Sequence, residues 1–113
     1  MKRRALIALG SNIDPEHNLP AAASRLAAHG EIDVLAASGV YESSPLGRPG
    51  DPCFHNAALA VETSLDPTGL RSELRRIEAE LGRVRGEDRY APRPIDLDLV
   101  AYEGFSGDLG GSR

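Results

Sequence analysis

The chain of 113 residues has a single cysteine, no tryptophan and only five other aromatics, two Phe and three Tyr. A lone Cys53 can close no internal disulfide and has no second cysteine for a metal cluster, which predicts a reducing, cytoplasmic setting. So few aromatics, none in an aromatic-rich motif on a central strand, disfavour a domain that stacks single-stranded RNA on its sheet. Positive charge is also short: 13 Lys plus Arg against 17 Asp plus Glu leave a formal net charge of −4, which excludes a nucleic-acid binder held by bulk charge. His17, His29 and His55 lack metal-ligand spacing. No apolar run approaches a membrane span. The basic start Met1-Lys2-Arg3-Arg4 leads only into the short run Ala5–Leu9, which closes on Gly10-Ser11-Asn12 without a cleavage pattern and predicts a strand, not a signal peptide. The expectation is therefore a monomer with neither a nucleic-acid nor a membrane partner.

With 41% hydrophobic and 27% charged residues the composition is that of an ordinary globular domain. Residues 1–103 are expected to form it. The stretch 104–113, with four glycines, reads as a disordered tail. Charge is unevenly spread: seven arginines lie between Arg71 and Arg93 against five acids, so a local anion site can exist inside an acidic protein.

The apolar run Arg4–Leu9 predicts a first strand. Asp14-Pro15 reads as an N-cap with proline at the first helical position, and Leu19, Ala22, Ala23, Leu26 and Ala27 recur at helical spacing. Glu31–Ser43 predicts a second strand, or a bent one interrupted near Gly39. Ser44–Pro52, with three prolines and two glycines, predicts a loop. Phe54–Thr63 alternates as a third strand, with Ala57, Leu59 and Val61 on one side and Phe54, Asn56, Ala58 and Ala60 on the other. Asp66-Pro67 repeats the helix start, and Leu70, Leu74, Ile77 and Leu81 form one apolar stripe. Ile95–Tyr102 predicts a fourth strand, sending Ile95, Leu97, Leu99 and Ala101 one way and Asp96, Asp98, Val100 and Tyr102 the other. The order β-α-β-β-α-β is that of an α+β, ferredoxin-like domain, a four-stranded antiparallel sheet with two helices on one face and the other face free for a ligand.

Aspartate suits strands poorly, yet Asp96 and Asp98 share one face of the last strand. Residues two apart on a strand sit about 6.6–7 Å apart. Two carboxylates at that range repel by about 2–3 kcal/mol at an effective dielectric of ~20, which calls for a cation between them. Hard oxygen donors select Mg²⁺, which takes one or two carboxylates and completes its shell with water and phosphate oxygens. The adjoining loop carries Arg83, Arg85, Arg89 and Arg93, whose planar forks match phosphate and could bracket a polyphosphate opposite its metal. Ser43, Leu46, Phe54 and Asn56 lie on or beside strands two and three, and an aromatic face plus an amide would recognise a flat heterocycle. Gly10-Ser11-Asn12 serves a helix entry as readily as a ligand.

Five stretches together resemble the 6-hydroxymethyl-7,8-dihydropterin pyrophosphokinase family of folate biosynthesis, from Ala5 to Tyr102. They are Ala8-Leu9-Gly10-Ser11-Asn12, Tyr41 to Gly47, Phe54-His55-Asn56-Ala57-Ala58, Ile77-Glu78 with Leu81-Gly82-Arg83, and Arg89 to Val100. The resemblance implies an Mg²⁺-dependent enzyme that moves pyrophosphate from ATP to the pterin hydroxymethyl oxygen and leaves AMP. By position, Asp96 and Asp98 would hold two Mg²⁺ ions, and Arg83 and Arg93 would stabilise the transferring group, with Arg85 and Arg89 assisting. Glu78 would lie near the nucleotide, and Ser43, Leu46, Phe54 and Asn56 would line the pterin site. Ser43-Ser44 stands where the family often shows Thr-Pro. Family members continue past the fourth strand into a Pro-His element and an Arg and Phe that have no counterpart in residues 104–113. The alternative expectation is accordingly a truncated, non-catalytic pterin- or nucleotide-binding module of the same fold.

Overall fold

Twice along the chain a strand leads through an Asp-Pro pair into a helix of fourteen residues. In the computed structural model, which describes residues 2–43, 54–82 and 94–104, β1 (Arg3–Ser11) feeds α1 (Pro15–Ala28) and β4 (Phe54–Thr63) feeds α2 (Pro67–Glu80). The remaining strands are β2 (Ile32–Ala37), β3 (Tyr41–Ser43) and β5 (Asp96–Tyr102). The two starts differ in chemistry. Asp66 caps α2 in the expected way, its carboxylate accepting the Gly69 N–H at 2.7 Å. Asp14 instead sits in the left-handed region (φ 46°) with no side-chain cap bond, and it is the Asp14 carbonyl that receives the His17 and Asn18 N–H groups. Gly82, at φ +94°, follows α2 in a conformation that glycine adopts without strain.

All strand pairs are antiparallel, in the order β2-β4-β1-β5, with β3 also on β4. Each helix thus joins two strands that flank a third, the split arrangement of a ferredoxin-like domain. Five strands stand where four are expected, because the edge ribbon is cut in two. Its register on β4 slips by one residue between Val34 and Ala36 and again between Ala37 and Tyr41. At the cut, the Ser38 hydroxyl accepts the Ala58 N–H at 2.8 Å while the Ser38 N–H donates to the Ala58 carbonyl at 2.9 Å, so the ladder is kept by a side chain. β1 also runs further than expected, through Gly10 and Ser11.

The core lies between the sheet and the helices. Ile7, Leu9, Leu59, Val61, Leu97 and Leu99 meet Leu26 of α1 and Leu70, Leu74 and Ile77 of α2, all nearly or wholly buried. One expectation for β5 is corrected. Alternation predicts Ala101 inward and Tyr102 outward, whereas Tyr102 is buried and Ala101 exposed. The pairing shifts there from Ile7↔Leu99 to Leu6↔Ala101, and the extra residue turns the end of the strand over. The Tyr102 hydroxyl then donates to the Leu65 carbonyl at 2.5 Å.

On the outer side of the helices, Glu73 accepts from Arg76 at 2.7 Å and meets His29 Nε2 at 2.9 Å, while His29 Nδ1 accepts the Glu31 N–H at 3.0 Å. Arg76 first, then His29, hold the Glu73 carboxyl below its ordinary 4.5. A carboxyl lowered on folding stabilises above its unfolded value and stops doing so as pH falls through the folded one. The melting-temperature gap between the parent and Glu73→Gln should therefore be constant near neutrality and close below pH 4.5. A gap that widens in acid would refute this assignment.

Candidate active site

The sheet face turned away from the helices carries small and polar residues together with Phe54. Because alternate residues point to opposite faces, burial of Ile7 and Leu9 in β1, Leu59 and Val61 in β4, and Leu97 and Leu99 in β5 leaves Ala8, Gly10, Phe54, Asn56, Ala58, Asp96 and Asp98 on that other face. The register lines them up. One row across the sheet reads Tyr41, Asn56, Gly10, Asp96, and the next reads Ala58, Ala8, Asp98. Asn56 and Asp96 are thus two strand spacings apart, about 9.5 Å.

Gly10 occupies the centre of this arrangement. A Cβ on Gly10 would come within 3.3 Å of Asn56 Oδ1 and 3.6 Å of Phe54 Cδ1, so both side chains lean over the glycine. Glycine inside a strand marks a place where something approaches the backbone closely. Gly10→Val should shift Phe54 and Asn56 and leave the fold nearly intact, raising KM for a ligand seated there far more than it lowers kcat. A change confined to kcat would show that Phe54 and Asn56 seat no ligand beside Gly10.

Asp96 and Asp98 are both part-exposed on β5, on one face and two residues apart. Among the described residues no group of three or more His, Cys, Asp or Glu could enclose a metal ion. Two carboxylates on one strand face are oxygen donors of the kind a hard cation takes when water and phosphate oxygens fill its other positions. Arg75 of α2 approaches from the outer edge, with Nη2 3.8 Å from Asp98 Oδ1.

Glu78 is placed apart from this face. Its side chain is 2% exposed, Oε2 accepts the Leu97 N–H at 2.6 Å, and Oε1 lies 3.2 Å from Arg75 Nη1. The carboxylate suggested to lie near a nucleotide is engaged with the backbone of the aspartate strand. Ser43 ends β3 opposite Phe54. Leu46, Arg83, Arg85, Arg89 and Arg93 lie outside the described residues, as do Cys53 and residues 105–113.

The sequence model of the family described as 7,8-dihydro-6-hydroxymethylpterin-pyrophosphokinase (HPPK) matches residues 6–109. The chain belongs to this family. It is 48% identical over 102 residues to the 2-amino-4-hydroxy-6-hydroxymethyldihydropteridine pyrophosphokinase of Methylorubrum extorquens, an alignment covering 89% of this chain and 64% of the relative. The protein of the same name from Bacillus subtilis is 42% identical over 103 residues, covering 90% of this chain and 61% of the relative. A mitochondrial folate synthesis bifunctional protein of Pisum sativum is 41% identical over 101 residues, which is 88% of this chain and 19% of that one. The chain thus spans a little under two thirds of the length of its bacterial relatives.

The HPPK match takes in every residue of the open face, including the Gly10 row and both aspartates. Two members of the site escaped sequence reasoning. Gly10 enters the sequence reading only through the Gly10-Ser11-Asn12 turn and the family-like stretch Ala8–Asn12, whereas the structure places it inside β1. Nothing in the sequence separates Arg75 from its helical neighbours Arg71 and Arg76.

Proposed function

We propose that this chain transfers the β,γ-pyrophosphoryl group of ATP to 6-hydroxymethyl-7,8-dihydropterin on the open face of its sheet. The observation that carries the reading is the single row placing Asn56, Gly10 and Asp96 side by side, with Phe54 over the glycine. The pterin ring would stack on Phe54, which lies over Gly10, and be read by the Asn56 amide, with Ser43 and Leu46 completing the pocket. Its hydroxymethyl oxygen then faces the aspartate strand. That oxygen bonds to the β-phosphorus of ATP, the bond from this phosphorus to the oxygen bridging the α-phosphate breaks, and AMP leaves with the bridging oxygen while the hydroxyl proton passes to water.

Asp96 and Asp98 would hold two Mg²⁺ ions, and what Mg²⁺ supplies when bound is neutralisation of phosphate charge. Arg83 and Arg93 would bind the oxygens of the transferring group, with Arg85 and Arg89 on the rest of the triphosphate. Glu78 would act near the nucleotide through the strand it holds. The lone cysteine is in keeping with a reducing cytoplasm, where the chain would act as a monomer. Among the described residues no helix is long and apolar enough to cross a membrane.

The test is AMP formation from ATP and 6-hydroxymethyl-7,8-dihydropterin with Mg²⁺. One AMP per pterin diphosphate is the expected result. Release of ADP would mean transfer of a single phosphoryl group, and pterin binding by calorimetry without turnover would leave a non-catalytic binding module.

A further inference from the structure

Among the described residues β5 pairs with β1 alone, and its outward backbone groups need partners. At Leu97 both are met from α2. The Leu97 N–H donates to Glu78 Oε2 at 2.6 Å, and the Leu97 carbonyl accepts from Arg75 Nη2 at 2.5 Å. The two side chains are themselves joined, Arg75 Nη1 to Glu78 Oε1 at 3.2 Å. The guanidinium and carboxylate together present one donor and one acceptor to the strand, as a neighbouring strand would. Leu97 is the residue between Asp96 and Asp98, and the Arg75 fork also reaches to 3.8 Å from Asp98 Oδ1.

We propose that Arg75, braced by Glu78, is a positioning residue that fixes the spacing and direction of the Asp96 and Asp98 carboxylates. The inference rests on the metal-binding reading above. With β1 on one side and the clamp on the other, the peptide units of Leu97 are hydrogen-bonded on both edges, so the two carboxylates cannot swing relative to each other by twisting the strand. A lysine in place of Arg75 would keep the charge but lose the planar fork that spans carbonyl and carboxylate. A positive charge acting only by proximity to Asp98 would weaken cation binding, whereas a clamp strengthens it, so the two roles predict opposite signs.

The experiment is an electron paramagnetic resonance titration of Mn²⁺ in the presence of the α,β-methylene analogue of ATP. It is run on the parent chain, Arg75→Gln, Arg75→Lys, Glu78→Gln and Asp98→Asn, with thermal melts establishing that each is folded. Outer-sphere partners of metal ligands typically affect affinity 10–100-fold, so Arg75→Gln and Arg75→Lys should each weaken Mn²⁺ binding by about tenfold or more. Glu78→Gln, which still offers an oxygen to the Leu97 N–H, should lose less. Parent-like or tighter binding by Arg75→Gln overturns the proposal. If that variant fails to fold, Arg75→Lys decides the matter, since parent-like binding there shows that the fork is dispensable. Asp98→Asn separates the two readings. Lost binding there with unchanged Arg75 variants refutes the clamp alone, while unchanged binding in Asp98→Asn refutes the metal site and the clamp with it.

Discussion

If Asp98 holds Mg²⁺ as proposed, Asp98→Asn should lower kcat for AMP formation by about a thousandfold or more, because losing that ligand would remove several kcal/mol of transition-state charge stabilisation. The change is nearly isosteric and falls at a side chain 42% exposed, where substitutions usually alter stability by no more than about 0.5 kcal/mol. The melting curve should therefore superpose on that of the parent, and the lost turnover cannot be attributed to unfolding. Asp96→Asn should behave alike, since its carboxylate lies on the same face two residues away. The double variant should be little worse than either single one if the two carboxylates act as one binding unit. Raising Mg²⁺ should recover part of the activity of a single variant if affinity is what was lost. Turnover within tenfold of the parent in both single variants would exclude the pair from the chemistry.

Leu74→Ala should give the largest loss of stability. Leu74 is wholly buried in the apolar stripe of α2 with Leu70 and Ile77, beneath β5. Truncating a buried leucine costs about 2–5 kcal/mol, from lost transfer energy and the cavity left behind. For a domain of this size that corresponds to a melting point lower by about 10–20 °C, a large share of a total stability of about 5–15 kcal/mol. Leu74→Met, which keeps the volume, should cost less than about 1.5 kcal/mol. Function should follow stability here, since Leu74 adjoins Arg75 and Ile77 adjoins Glu78, so the stripe that seats the helix also sets the height of the clamp on Leu97. A drop under about 3 °C would mean that α2 is not held to the sheet by this stripe.

The order of elements was legible because the strand period of two and the helical period of 3.6 are written into neighbouring residues. Phe54–Thr63 was bounded correctly from its alternation alone, and α2 was started correctly by its cap, ending one residue before Leu81 of the expected stripe. The aspartate pair was legible for the same reason. Two acids at strand spacing must share a face, and no long-range information is needed to place them together. The family was readable in the same residues, and the expected antiparallel sheet with both helices on one side followed from the element order.

What the chain alone could not provide is whatever depends on pairing across the sheet. The bulge near Val100 that buries Tyr102 and exposes Ala101, and the two slips that split the edge ribbon at Ser38, arise from register against β1 and β4. The local pattern continues unbroken through the first, while for the second the sequence offers only Gly39 as a possible interruption, which is where the ribbon breaks. Gly10 came to lie beneath Phe54 and Asn56 only when pairing set it between Asn56 and Asp96. Glu78 and Arg75 acquired their role only when α2 packed beside β5, nineteen and twenty-two residues away in sequence from the peptide they hold. The sequence by itself determined on which strand Phe54, Asn56, Asp96 and Asp98 would stand and that each pair shares a face, because alternation is a property of the near neighbourhood. The tertiary structure decided which of them share a row and what holds the row straight, because hydrogen-bond register and side-chain reach join residues that the chain keeps far apart.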